Sequence, residues 1–361
     1  MKTFIASHKI KIALVVFGVA IAYFTTHHKS YYSTYDTLKY YGFEAAEQKE
    51  ALEDLFQLSL VLSHDQSWQD VFPNRTDVDL FFKDILKILQ ETQNKFVART
   101  GTQERWEVGP QQWMTNNQET IQSHLKTLGF TDEVSPKKKN TDAVCILGAS
   151  KISMVDRINY ASHLMKEKSL ETKMIILLGG ERHVTEGVDG TEAELSSLAQ
   201  SLKIRDWHQL TETHLIEDIY KNSDLVSMNL QVHTIDTPKR DLPRPTTQTT
   251  ILELMTWLRH HPEIQSITFV SNQPYVPYQK AIIESIFKSE NLSLAIEVVG
   301  PKTSDSSAKS LVEALGSYLW AKTPAVLEKM KIAPTHLTIK KALGDLYKSH
   351  PLIYKILPKN L

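Results

Sequence analysis

From residue 143 to residue 299 the chain repeats one texture: a short apolar run, a turn of small or polar residues, then an amphipathic helix. The pattern predicts strands at 143–147, 174–178, 231–235, 267–271 and 294–299, with helices near 153–167, 191–202, 249–261, 277–289 and 307–320. Strands this short and this continuously apolar need cover on both faces, and helices between successive strands give parallel neighbours. The expected fold class is therefore α/β, a doubly wound, mostly parallel sheet in three layers. The connection from Leu202 to Pro245 is longer than such a crossover needs and is expected to carry an inserted helix at 212–221.

Residues 44–129 have helical periodicity throughout. Leu52, Leu55 and Phe56 mark one amphipathic segment, Phe81, Phe82, Ile85 and Leu89 a second, and Trp113, Ile121 and Leu125 a third. Trp68, Trp106 and Trp113 are read as core residues. A proline and a lysine run, Ser135-Pro-Lys-Lys-Lys-Asn140, separate this region from the first strand. The resulting organisation is an N-terminal segment over 1–30, a small helical domain over 31–139, the α/β domain over 140–322 and a helical tail over 323–361.

The N-terminal segment is of another kind. Lys2, Lys9 and Lys11 precede the apolar run from Ile12 to Phe24, so by the positive-inside bias everything beyond Thr25 is exported. Residues 12–24 read as a signal-anchor helix in a membrane, flanked by Tyr23, Phe24, Tyr31 and Tyr32. A signal peptide cleaved at Ala20-x-Ala22 and a core helix are the alternatives. A formal net charge of −1 gives no bulk attraction for nucleic acid, and the single cysteine, Cys145, builds neither a disulfide framework nor a cysteine zinc site.

In a doubly wound sheet ligands bind beyond the carboxyl ends of the strands. The first strand ends in Gly148-Ala-Ser150, the second in Gly179-Gly180-Glu181-Arg182-His183, and the fourth in Ser271-Asn272-Gln-Pro-Tyr275-Val-Pro-Tyr278. Small residues there let backbone amides approach an anion at a helix N-terminus. Gly148, Ser150, Arg157, Gly179, Gly180, Arg182 and Ser271 are the expected anion cradle, with Asn272, Tyr275 and Tyr278 as further ligand contacts. Arg157, placed in the first helical turn, needs an anion to answer its charge against the helix dipole. Glu181 and Glu192 are the candidate catalytic carboxylates. Thr191-x-x-Glu194 reads as a capping box, as does Ser153-x-x-Asp156. There is no GxGxxG after the first strand, no P-loop and no GxSxG. His214-x-x-Glu217 lacks a companion constellation, so no metal is assigned. No cofactor is named by these residues.

Several of these stretches occur in a familiar order. Asp142-Ala-Val-Cys-Ile-Leu-Gly148, Asp156-Arg157-Ile-Asn-Tyr-Ala161, Ile175-Ile-Leu-Leu-Gly-Gly180, Thr191-Glu192-Ala193-Glu194, Ile267-Thr-Phe-Val-Ser271 and Glu313-Ala-Leu-Gly316 resemble the SanA/YdcF/ElyC-like family of bacterial envelope proteins over residues 140–320. The resemblance implies a Rossmann-like domain held at the inner membrane, facing the periplasm and serving envelope integrity. It also brings S-adenosylmethionine and isoprenoid-phosphate carriers as ligand ideas, of which the export signal disfavours the first, a cytoplasmic metabolite. The chain departs from the family at Thr246-Thr-Gln-Thr-Thr250 and at Tyr275 and Tyr278, where the family carries Glu, His and Arg. A tyrosine with an ordinary pKa of about 10 is a poor proton shuttle near neutrality but still stacks on and hydrogen-bonds a ligand.

The expected function is that of a membrane-anchored envelope protein that binds an anionic, phosphorylated precursor or lipid carrier at the strand ends and serves cell-envelope integrity. The alternative is a non-catalytic scaffold whose helical residues 44–129 dock a protein partner.

Overall fold

A computed structural model describes residues 32–63, 65–99, 103–303 and 307–330. The apolar run at 12–24 and the tail beyond Met330 lie outside the described residues. No helix among the described residues is long and apolar enough to cross a membrane.

Five parallel strands form the sheet: β1 Ala143–Leu147, β2 Met174–Gly180, β3 Gln231–Thr237, β4 Ser266–Val270 and β5 Ala295–Val299. Their order is β3-β2-β1-β4-β5. All of β1 and nearly all of β2 and β4 are buried, whereas the edge strands β3 and β5 are partly exposed. This is why the central strands read as unbroken apolar runs and the edges do not. Side chains alternate between two cores. Ala143, Cys145 and Leu147 face one, shared with helices α10 (Thr247–Leu258) and α11 (Val276–Ser289). Val144 and Ile146 face the other, shared with α7 (Lys151–Lys166), α8 (Glu192–Ser201) and α9 (Glu212–Lys221).

The helical region supplies α1 (Thr34–Tyr41), α2 (Ala46–Leu58), the single turn α3 (Trp68–Val71), α4 (Val78–Thr92), α5 (Gln112–Asn116) and α6 (Gln118–Thr127). Its core is not its own. The last helix, α12 (Ala308–Lys329), inserts Leu311, Leu315 and Leu319 among Leu52, Phe56 and Phe96. Gly316 permits the close approach, because a Cβ there would lie 3.0 Å from that of Phe96. A boundary at 322 therefore falls inside a continuous helix, and residues 323–329 belong to α12 instead of an external tail.

One helix start differs from expectation and one agrees with it. α7 is capped by Ser150 and begins at Lys151, not at 153, so Ser153 and Asp156 lie within the helix and Arg157 sits in its second turn. The dipole argument for Arg157 weakens accordingly, since the helix field fades beyond the first turn. α8 does carry the Thr191–Glu194 box: Glu194 accepts the Thr191 N–H at 2.8 Å, and Thr191 accepts the Glu194 N–H at 3.3 Å.

Candidate functional site

Strand order reverses between β1 and β4, and outside their carboxyl ends lies a cavity of about 760 Å³. That volume suits a small-molecule ligand. Its floor is the turn 147–150 after β1 and residues 272–275 after β4. Thr246 and Thr247 at the start of α10, Lys309 and Ser310 at the start of α12, and Val97, Arg99, Glu104, Arg105 and Trp106 of the helical region close the sides. The site thus lies between the sheet and the helical region.

Arg157 reaches the floor from α7. Its side chain is almost fully buried, and burial pushes its guanidinium down to about 10, still protonated at neutral pH. No carboxylate is within ion-pair distance among the described residues. Instead Nε donates to Asn272 Oδ1 at 2.8 Å, and Nη1 donates to the carbonyls of Leu147 and Gly148, both at 2.7 Å. Arg157 therefore braces the ends of β1 and β4 against each other, and Asn272 is its partner.

Arg182 is differently placed. It pairs with Asp189 and Glu212, each at 2.8 Å, and gives Nη2 to the Ala149 carbonyl at 2.9 Å. Burial opposes its charge, but Glu212 and Asp189 outweigh burial and raise its pKa. Asp189, wholly buried, also accepts the N–H of Lys151 at 3.2 Å. The first amide of α7, expected to greet a ligand, thus has an internal carboxylate. Gly148 is required for a steric reason: a Cβ there would collide with the Glu212 carboxylate and lie 2.7 Å from the Leu178 carbonyl oxygen. Burial raises the Glu212 carboxyl, and the Arg182 charge beside it pulls the other way without cancelling the effect.

The helical wall holds the rest of the charge. After α4 a π-helical turn, Gln93–Val97, ends at Ala98 with φ 54°, and the reversal sends Arg99 toward the cavity. Arg99 and Arg105 meet on one oxygen of Glu313, at 3.1 and 2.9 Å. Arg105 also lies over the Tyr275 ring, 4.1 Å from its centroid. Burial works against the Arg105 charge, yet Glu313 beside it raises its pKa overall. For Arg99 burial prevails over Glu313 and the pKa is lowered, with Arg105 and Arg244 nearby adding to the effect. Arg244 pairs with Glu104 at 2.5 Å.

Of the residues singled out in the sequence, Gly148, Ser150, Arg157, Arg182, Asn272, Tyr275 and Tyr278 line this cavity together. Gly179 and Gly180 do not; a Cβ on either would meet Thr213 or Pro245, so close packing accounts for both glycines. Ser271 is sealed in the core with its hydroxyl on Gln279. The candidate acids are elsewhere as well: Glu181 accepts the Lys239 N–H at 2.9 Å outside the cavity, and Glu192 is exposed on α8. Trp106 departs from the core reading. It is 38% exposed and lines the cavity with Arg182 beneath its ring, whereas Trp68 is buried as expected. His214 takes the Thr211 N–H at 3.0 Å and Glu217 the Thr234 hydroxyl at 2.9 Å, and no group of three metal-ligating side chains occurs among the described residues.

Sequence reading missed Arg99, Arg105, Arg244, Lys309 and Glu212. The strand-end rule, applied to the loop after β3, reaches Arg244 inside Pro243-Arg-Pro245. Nothing local links Arg99 or Arg105 to the sheet. Their approach depends on α12, which carries Glu313. Glu212 begins the inserted helix that the sequence does predict, but its role follows from the pairing with Arg182. In comparisons with known proteins, no family model, curated protein or solved structure matches the chain.

Proposed function

We propose that the protein binds a phosphate-bearing small molecule in the cavity beyond β1 and β4. One observation carries this reading: six cationic side chains, Arg99, Arg105, Arg157, Arg182, Arg244 and Lys309, line a single cavity of about 760 Å³. Among the described residues Glu104 and Glu212 are the carboxylates in its lining. Guanidinium groups suit phosphate oxygens, which accept forked, charge-assisted hydrogen bonds. Trp106, Tyr275 and Tyr278 supply apolar surface beside them for the non-phosphate part of the ligand.

The apolar run at 12–24 behind three lysines supports membrane attachment, and the motif order over 140–320 supports a SanA/YdcF/ElyC-like, Rossmann-like envelope protein facing the periplasm. On that reading the ligand is an envelope precursor or a lipid-linked phosphate.

Thermal shift and calorimetry of the full chain in detergent, against diphosphate, sugar phosphates and isoprenoid phosphates, test the binding. Stabilisation by at least one phosphate class is expected, and no response to any of them would remove the reading. Extraction of membranes at alkaline pH tests attachment; release of the chain into the soluble fraction would count against an anchor.

A further inference from the structure

One arginine at the floor of the cavity serves two carboxylates, and it serves them unequally. Arg182 gives its fork to Asp189, Nη1 to Oδ2 at 2.8 Å and Nη2 to Oδ1 at 3.2 Å. Asp189 also accepts the N–H groups of Lys151 at 3.2 Å and Thr185 at 2.9 Å, so four donors occupy its two oxygens. Glu212 receives a single bond, from Arg182 Nε to Oε2 at 2.8 Å. Its Oε1 accepts no hydrogen bond among the described residues.

That second oxygen belongs to the site. Glu212 lines the cavity and its side chain keeps 16% exposure there. Oε1 lies against Gly148 in the floor turn, where a Cβ would come within 1.8 Å of it, so glycine at 148 leaves the oxygen its place. Glu104, the other carboxylate in the lining among the described residues, is paired with Arg244. Three charged groups act on the Glu212 carboxyl: Arg182 from the loop after β2, Arg244 from the loop before α10 and Arg157 from α7. They favour its ionised form, burial opposes them, and burial prevails. Glu212 therefore keeps its proton to a higher pH than an exposed glutamate does.

We propose that the cavity hydrolyses a phosphate monoester and that Glu212 Oε1 delivers the proton to the leaving oxygen. The proposal rests on the phosphate reading above and adds a reaction to it. A water oxygen forms the new bond to phosphorus as the bond to the ester oxygen breaks. The electron pair of the broken bond goes to the ester oxygen, which takes the Glu212 proton and leaves as the alcohol. Phosphate forms as the dihydrogen monoanion and returns one proton through water to the Glu212 carboxylate, which restores the acid and leaves monohydrogen phosphate. Bonding to both oxygens is weak in such a transition state, so charge gathers on the departing oxygen, where a placed proton donor has most effect.

The test is steady-state hydrolysis by the full chain in detergent of two esters, glucose 6-phosphate and 4-nitrophenyl phosphate. The sugar alkoxide needs a proton to leave, whereas nitrophenolate leaves without one. Glu212→Gln should lower kcat for glucose 6-phosphate by about 100-fold or more, far beyond any change in KM, and for 4-nitrophenyl phosphate by about tenfold or less. The ratio of the two losses does not depend on how much of the variant is folded. With the unaltered chain, kcat for the sugar phosphate should fall as pH rises through the Glu212 pKa, and that limb should be missing from the Glu212→Gln profile. Equal losses on the two esters, or a limb that survives the substitution, would overturn the proton-donor role and leave Glu212 as a support for Arg182. Calorimetry with inorganic phosphate separates the two levels of the reading. Phosphate binding without hydrolysis of either ester overturns the activity alone; if the chain binds no phosphate compound at all, the phosphate reading falls and the activity with it.

Discussion

Arg105 and Glu313 are 208 residues apart in the chain and 2.9 Å apart in space, and their pairing joins the cavity wall of the helical region to α12. Glu313 is wholly buried and holds Arg99 as well. Glu313→Gln keeps the shape and removes the charge, leaving two arginines without their common counter-ion. The expected cost is about 3 kcal/mol, the low end for a broken buried pair because Arg105 keeps 32% side-chain exposure. Urea unfolding of the two proteins measures it. A loss under about 1 kcal/mol would mean that solvent compensates both guanidinium groups and that Glu313 does not position them.

Much of the sheet was legible because its periodicity is local. Β1 falls at 143–147 as expected, α9 falls at 212–221, and the remaining strand limits shift by one or two residues. The site was legible only in part. Gly148, Arg157 and Asn272 follow strands and lie where the strand-end rule puts them, whereas Arg99 and Arg105 arrive through the tertiary packing of α12 against Phe96 and Gln93. No pattern confined to one segment encodes that approach. The glycines illustrate the same limit: the sequence shows that Gly179 and Gly180 must be small, but Thr213 and Pro245, distant in the chain, supply the reason.

Glu212 gives the fold a pH dependence with a definite sign. Burial raises its carboxyl above the ordinary value of 4.5 in the folded chain. A group raised on folding binds more protons in the native state, so its contribution is full below the unfolded pKa and is lost as pH rises through the folded one. Stability of the unaltered chain should therefore fall, relative to Glu212→Gln, as pH climbs from about 4.5. The substitution also removes the carboxylate paired with Arg182, so the slope against pH, not the absolute difference, is the informative quantity. Parallel pH profiles for the two proteins would mean that Arg182 holds Glu212 ionised throughout.

Helix α12 makes the helical region and the sheet one cooperative unit. Leu311, Leu315 and Leu319 fill the core of the helical region, Ala321 lies in the sheet core beside α10 and α11, and Tyr318 packs against both. Truncating Leu315, which is wholly buried, should cost about 2–5 kcal/mol. Calorimetry should show one unfolding transition in both proteins, displaced to lower temperature in Leu315→Ala. Two transitions, with only one moved by the substitution, would mean that the regions unfold independently. The same argument bears on the scaffold reading of residues 44–129. Excising them strips α12 of the surface that buries Leu311 and Leu315, so loss of partners in such a deletion reports the state of α12 before it reports a docking site. A point substitution on an exposed part of that region, such as Leu80→Asp, at 45% exposure, leaves the shared core intact and separates the two effects. Retention of a single transition together with loss of a partner would favour docking there, and retention of both would confine the region's role to building the cavity wall.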